Sequence, residues 1–310
     1  MRPGRPDGPG PPTAAPAGPY RRAAASGRPA GPRGYAEEVT ESPYTDLDRP
    51  PLSAAALQRA LVRPGSLWSS VTVVARTGST NADLAEAARQ GAAEGTVLVA
   101  EVQSAGRGRL GRTWTAPPRA GLTFSVLLRP TVRPARQGWL MLLAGLAAAS
   151  AIRRIAQVDV RLKWPNDLLV GERKLGGVLA ERVDGAVVVG IGINVTLRPD
   201  ELPVEQATSL AIEKAACTDR DPLLRAILRE LESHYRDWTE ADGDAEASGL
   251  RSAYLASSAT VGREVRVELP GGYALTGQAT GIDQDGHLLV RAEGRLHTLS
   301  AGDVVHLRPR

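Results

Sequence analysis

The chain has 310 residues, enough for two domains and a sizeable core, and its one cysteine, Cys217, excludes an internal disulfide framework and suits a reducing, cytoplasmic compartment. The net charge is +4, but residues 1–36 hold six arginines and one aspartate, a net of +5, so the remainder carries −1. A body that close to neutral excludes a general DNA-binding surface, whose affinity comes from clustered Lys and Arg on phosphates.

Residues 1–50 are rich in Pro, Gly, Ala and Arg and poor in branched aliphatic residues, which predicts a disordered tail. The opening MRPGRPDGPGPP has no apolar core of a secretory signal. A helix is predicted over Ser53–Val62, then a strand where Val71, Val73 and Ala75 alternate. Thr77-Gly-Ser-Thr-Asn81 opens a second helix that runs to Gln90, with Ser79 or Thr80 as its cap. Thr96–Glu101 and Leu122–Leu128 read as buried strands around a Gly- and Arg-rich loop.

Gln137–Ile155 reads as a Leu- and Ala-rich helix, and its apolar run Leu140–Ile152 falls short of the ~18 residues expected of a membrane span. Short strands at Val160–Lys163 and Leu168–Val170 flank a turn at Trp164-Pro-Asn-Asp167. Leu175–Arg182 and Ala186–Ile193 form a hairpin turning at Asp184-Gly185. Asp221–Trp238 is an amphipathic helix with Leu224, Ile227, Leu228, Leu231 and Tyr235 on one face. From Val261 onward only short alternating strands remain, broken at Pro270-Gly-Gly272, Asp285-Gly286 and Ala301-Gly302, which predicts a small all-β barrel.

Gly106-Arg107-Gly108-Arg109-Leu110-Gly111-Arg112 puts three arginines and three glycines in seven residues. The run fits G-x-G-x-x-G, but a dinucleotide fingerprint must open a helix and have an acidic residue ~20 positions on. Here Pro117-Pro118 and a strand follow, and no Asp or Glu occurs between Glu101 and Asp159. What remains is a loop whose guanidinium groups clamp a carboxylate and a triphosphate together, screening their repulsion. The mutual repulsion of the arginines predicts a loop with little order until an anion arrives.

The segment Gly106–Trp114 resembles the GRGRxxRxW loop of the biotin protein ligase family at every fixed position. Thr77–Asn81, Gln103, Lys163-Trp-Pro-Asn-Asp167, Arg173-Lys-Leu-Gly-Gly177 and Gly190-Ile-Gly-Ile-Asn194 resemble that family's other motifs, in order, over roughly residues 70–200. The resemblance implies an α+β fold: a class II synthetase-like catalytic domain with a mixed sheet over 51–258, then an SH3-like barrel over 259–310. It implies a two-step ligase that activates biotin with ATP to biotinyl-5′-AMP and acylates a lysine of the biotin carboxyl carrier domain of an acyl-CoA carboxylase.

By the same resemblance, Ser79, Thr80, Asn81, Gln103, Gly106, Arg107, Gly108, Arg109 and Lys174 meet biotin, whose ureido ring asks for short neutral donors and acceptors. Arg109, Arg112, Trp114, Lys163, Asn166, Lys174 and Asn194 meet ATP, with Trp114 stacked on adenine. Lys174, Arg107, Arg109 and Asp167 carry the catalysis. Mg²⁺ is expected on the phosphates, without a direct protein cage. The rival readings are a lipoate ligase of the same fold and a biotin-responsive repressor. The first needs an apolar pocket, and the second needs more than the about twenty ordered residues expected ahead of the first strand. The form expected is monofunctional, without specific DNA binding and without a membrane partner.

Overall fold

The computed structural model describes Met1, residues 48–269 and residues 271–307. The expected disordered tail lies outside the described residues, apart from Met1 and its last three positions. Helix α1 (Ala54–Leu61) starts where the Ser53 hydroxyl accepts the Ala56 N–H, and it buries Leu57 and Leu61.

Seven strands form a mixed sheet in the order β1-β2-β3-β7-β6-β5-β4. They are β1 (Ser70–Val74), β2 (Thr96–Ala100), β3 (Gly121–Leu128), β4 (Val160–Lys163), β5 (Asp167–Val170), β6 (Arg173–Val183) and β7 (Ala186–Asn194). β1 and β2 are parallel, as the intervening helix α2 (Thr80–Arg89) requires; the remaining neighbours are antiparallel.

β3 and β7 read as apolar runs because both faces of the sheet are covered. Val126, Leu128, Val187, Val189 and Ile191 face α3 (Trp139–Ala156), which packs in turn against α4 (Arg220–Glu240). Leu127 and Val188 face Leu84, Ala85 and Ala88 of α2. Each fully buried Leu or Val contributes about 1.5–3 kcal/mol relative to exposure. With the 3₁₀ turn ahead of it, α3 is long and apolar enough by length and composition to cross a membrane, beyond the shorter run read from the sequence. Its apolar surface is spent on this core instead, with thirteen of its eighteen residues buried.

The alternation places Gly190 and Gly192 after Val188 on the α2 face of β7. A Cβ on Gly190 would lie 2.1 Å from Asn81 Oδ1, and one on Gly192 would lie 2.5 Å from Trp114 Cε2. The sheet is thus bare beneath the N-terminus of α2, and the space left is where the functional residues meet.

Helix α5 (Leu250–Ser257) was not foreseen. It is eight residues long and starts from Gly249 at φ 74° without a capping side chain, so none of the usual start signals mark it. Beyond it, β8 (Glu264–Glu268), β9 (Ala274–Ile282), β10 (Leu288–Ala292), β11 (Arg295–Leu299) and β12 (Asp303–His306) form an antiparallel sheet ordered β11-β10-β9-β8-β12. This is the small SH3-like unit expected at the C-terminal end. Two buried indoles fasten it to the first sheet: Trp139 Nε1 donates to Gln284 O at 2.9 Å and Trp164 Nε1 to Gly286 O at 3.1 Å. The contact is close enough that a Cβ on Gly138 would lie 2.5 Å from Asp285 O.

Candidate functional site

A cavity open to solvent on one side lies over the bare part of β7. Its lining includes Ser79, Thr80, Asn81, Gln103, Arg107, Gly108, Arg109, Arg112, Trp114, Asn166, Asp167 and Lys174. Most residues singled out from the sequence are therefore brought together from β6, the start of α2 and three loops.

The inner end is neutral and polar. Ser79 caps α2, accepting from Ala82 N–H, which settles the choice between Ser79 and Thr80. Gln103 reinforces the cap: its Oε1 accepts the Thr80 N–H at 2.7 Å and the Thr80 hydroxyl at 3.0 Å. That leaves the Gln103 amide nitrogen free of the cap. Asn81 lines the cavity, but its carboxamide is engaged by the protein. Nδ2 donates to Glu181 Oε2 at 2.7 Å and Leu179 O at 3.3 Å, and Oδ1 accepts from Ser125 at 2.6 Å.

Other lining groups are cationic, Arg107, Arg109, Arg112 and Lys174. Residues 106–114 form a short finger in which Gly108 N–H donates to Arg112 O at 2.7 Å and Trp114 N–H to Gly106 O at 2.9 Å. Gly106 lies at the finger's base rather than on the cavity wall. A Cβ there would meet Trp114 O at 2.3 Å and Gln103 Nε2 at 2.6 Å, so glycine is demanded by close packing. Trp114 is half-buried and lies against Gly192. Its Nε1 is buried without a partner among the described residues.

Alongside the expected mutual repulsion, each guanidinium of the loop has a protein acceptor. Arg107 pairs with Glu181 at 3.3 Å, and Arg109 donates to Asn166 Oδ1 at 3.2 Å and Gly302 O at 3.3 Å. Arg112 pairs with Asp303, the first residue of β12. Burial pushes the Arg109 guanidinium below its ordinary pKa, while the charges of Asp303 and Asp167 oppose that shift. The Asp303 hydrogen bond and charge push Arg112 upward. Arg107 and Arg112 are about half exposed, so their pairs contribute only about 0–1 kcal/mol each, and the like-charge repulsion between them is screened by the same solvent.

Lys174 stands at the start of β6, where its backbone is bound on both sides: its N–H donates to Gln206 O at 2.7 Å and its carbonyl accepts from Thr208 at 2.9 Å. Its ammonium lies 2.6 Å from Asp167 Oδ1 across the β5–β6 pair. The turn that carries Asn166 and Asp167 contains a cis Trp164–Pro165 bond.

Besides Gly106, two expected residues fall outside the cavity lining. Lys163, on β4, faces the junction with the C-terminal sheet, where its charge acts on His306. Asn194 is buried, its Nδ2 donating to Thr208 O at 2.9 Å while Oδ1 has no partner among the described residues. Conversely, Thr123, Glu181, Ser125 and Asp303 belong to the site or its support and were not singled out. Ser125 carried a signal, being a hydroxyl in the otherwise apolar run Phe124-Ser-Val-Leu-Leu128. Asp303 carried none, since a Gly-Asp pair reads as a barrel turn.

The family model for the biotin/lipoate A/B protein ligase family matches residues 73–197, and that for the biotin protein ligase C-terminal domain matches residues 260–307. The biotin--[acetyl-CoA-carboxylase] ligase of Mycobacterium tuberculosis is 45% identical over 271 residues, 85% of this chain and 100% of the relative. The bifunctional ligase/repressor BirA of Bacillus subtilis is 34% identical over 235 residues, 73% of this chain and 70% of the relative. Among solved structures, the biotin protein ligase of Aquifex aeolicus in complex with biotin and ATP aligns with a TM-score of 0.65 at 31% identity, covering 78% of this chain and 100% of that one.

Proposed function

The chain belongs to the biotin protein ligase family, and from that premise we propose that this cavity joins biotin to ATP and passes the biotinyl group to a lysine on a biotin carboxyl carrier domain of an acyl-CoA carboxylase. One observation carries the reading: a single cavity is lined both by the neutral hydrogen-bonding groups of Ser79, Thr80 and Gln103 and by the cations Arg107, Arg109, Arg112 and Lys174. A substrate with a neutral polar ring at one end and a carboxylate at the other calls for both sets of groups.

In the first step a biotin carboxylate oxygen attacks the α-phosphorus of ATP and pyrophosphate leaves. Lys174 and Arg109 hold the two anions together and neutralise charge building on the phosphate. Arg112 takes the outgoing phosphates, and Trp114 offers its indole face to the adenine. Gly106 and Gly108 act through the shape of the finger, and Asn166 by orienting Arg109. In the second step the carrier amine attacks the carbonyl of the mixed anhydride and AMP departs, with Asp167 orienting the amine. Lys163 and Asn194 lie outside the cavity lining and act on the nucleotide only through neighbouring segments.

Magnesium accompanies ATP. The carboxylates at the cavity, Asp167 and Asp303, are each paired with a cation, so the ion would be held by phosphate oxygens and would supply further charge neutralisation. The catalytic part comprises residues 51–258 and the barrel 259–310, and the enzyme works in the cytoplasm without binding specific DNA or a membrane. A lipoate ligase needs an apolar inner end, which Thr80 and Gln103 do not offer. ATP–pyrophosphate exchange tests the proposal: exchange should depend on biotin, and equal or greater exchange with lipoate would overturn it.

A further inference from the structure

Ser125 lies on β3, is fully buried and is not part of the cavity wall, yet it touches two residues that are. Its Oγ is 2.6 Å from Asn81 Oδ1 and 2.7 Å from Thr80 Oγ1. Which partner receives its proton is decided at the far side of Asn81. Leu179 O and the Glu181 carboxylate can only accept, so the amide nitrogen of Asn81 must face them and its oxygen must face Ser125. The Ser125 proton is therefore committed to Asn81, and its lone pair is turned to Thr80. The Thr80 proton then has two acceptors inside the protein, Ser125 Oγ and Gln103 Oε1.

From this wiring we infer that Ser125 is a positioning residue that fixes the Thr80 hydroxyl as a hydrogen-bond acceptor toward the cavity, so that the site selects a substrate ring presenting an N–H there. Glu181 anchors the far end of the same chain and also pairs with Arg107, which ties the polarity of the inner end to the arginine finger. The glycine at 190 is part of the device, since any side chain there displaces the Asn81 oxygen. The inference rests on the biotin-activating reading and names the ureido N–H as the group selected.

The test compares wild type, Ser125→Ala and Ser125→Thr in ATP–pyrophosphate exchange with biotin and with biotin methylated on a ring nitrogen. Wild type must respond to biotin; if it does not, the parent reading fails whatever the variants do. Ser125→Ala should raise KM for biotin about tenfold with kcat and KM for ATP little changed, as for loss of one donor to a buried acceptor. It should also lower the preference for biotin over the methylated ring, because the Thr80 proton is less firmly held. Ser125→Thr, which restores the hydroxyl, should recover both. Ser125→Cys, similar in volume but a far weaker donor, carries the test if Ser125→Ala does not fold. A lower melting temperature with unchanged KM and unchanged discrimination would reduce Ser125 to packing and overturn the inference.

Discussion

The Lys174 ammonium sits 2.6 Å from the Asp167 carboxylate within the same cavity, so the cation assigned to the reacting phosphate is already paired before any ligand arrives. Removing the lysine therefore does two things: it deletes a charge that stabilises the transition state, and it leaves a carboxylate facing the incoming phosphates. Lys174→Ala should cut adenylate formation by about 10²–10³-fold with little change in melting. Lys174→Ala combined with Asp167→Asn should bind ATP more tightly than Lys174→Ala alone, a coupling that a double-mutant cycle on KM for ATP reads directly.

Gly192→Ala puts a methyl group 2.5–2.8 Å from three indole atoms of Trp114, so the ring must move. The backbone of β7 needs no glycine there, so the fold should survive. KM for ATP should rise by about tenfold or more, since a displaced ring forfeits stacking worth roughly 1–3 kcal/mol. KM for biotin should change far less, and an equal rise in both constants would place Trp114 elsewhere than at the nucleotide.

Arg109 reaches both Asn166 and the C-terminal sheet, so Arg109→Ala should loosen the finger from its far anchor while the inner end stays intact. Biotinyl-5′-AMP should dissociate faster and hydrolyse more in solution, with biotin binding preserved. Amide exchange across residues 104–116 measures the same event. Wild-type protection in the variant would show that the Arg112–Asp303 and Arg107–Glu181 pairs hold the finger without Arg109.

His306 is 5% exposed and faces Lys163 and Arg263, with Glu172 and Thr260 as its partners. Burial, then the charges of Lys163 and Arg263, push its pKa below the ordinary value, so the folded state resists protonation. The unfolded state takes up the proton near pH ~6.5. Stability is therefore unaffected by this group above that pH and falls as the pH drops below it toward the lowered folded value. His234 on α4 is shifted the same way by burial, so the wild-type loss includes both. Urea midpoints measured at neutral pH and near pH 5.5 should differ less for His306→Gln than for wild type.

The parts of this molecule that follow local rules were readable from the sequence. Ser53 and Ser79 cap helices, Asp184-Gly185 turns a hairpin, and the apolar runs of β3 and β7 announce strands covered on both faces. The arginine loop was readable as chemistry but not as conformation, because its contacts are with Glu181, Asn166, Gly302 and Asp303, which lie 57 to 193 positions from their partners. Asn81 shows the same limit from the other side. Its place beside the cavity follows from the motif, whereas the use of its amide within the protein depends on Ser125, Leu179 and Glu181 on two other strands. Lys163 and Asn194 share motifs with cavity residues, yet each is the last residue of its strand and is engaged beyond the lining, Lys163 near His306 and Asn194 with Thr208.

The stretch of β7 that lacks side chains sets what a redesign of this pocket can achieve. A wall made of Gly190 and Gly192 has nothing left to trim, and each atom added there strikes Asn81 or Trp114. Room for bulkier analogues has to be cut from the adjacent strand β6, where half-buried Leu179, paired with Gly190, is a lining residue with volume to give, while neighbouring Val178 belongs to the core. Shortening Leu179 should widen the range of rings accepted while leaving the cationic groups, and with them the chemistry, as they are.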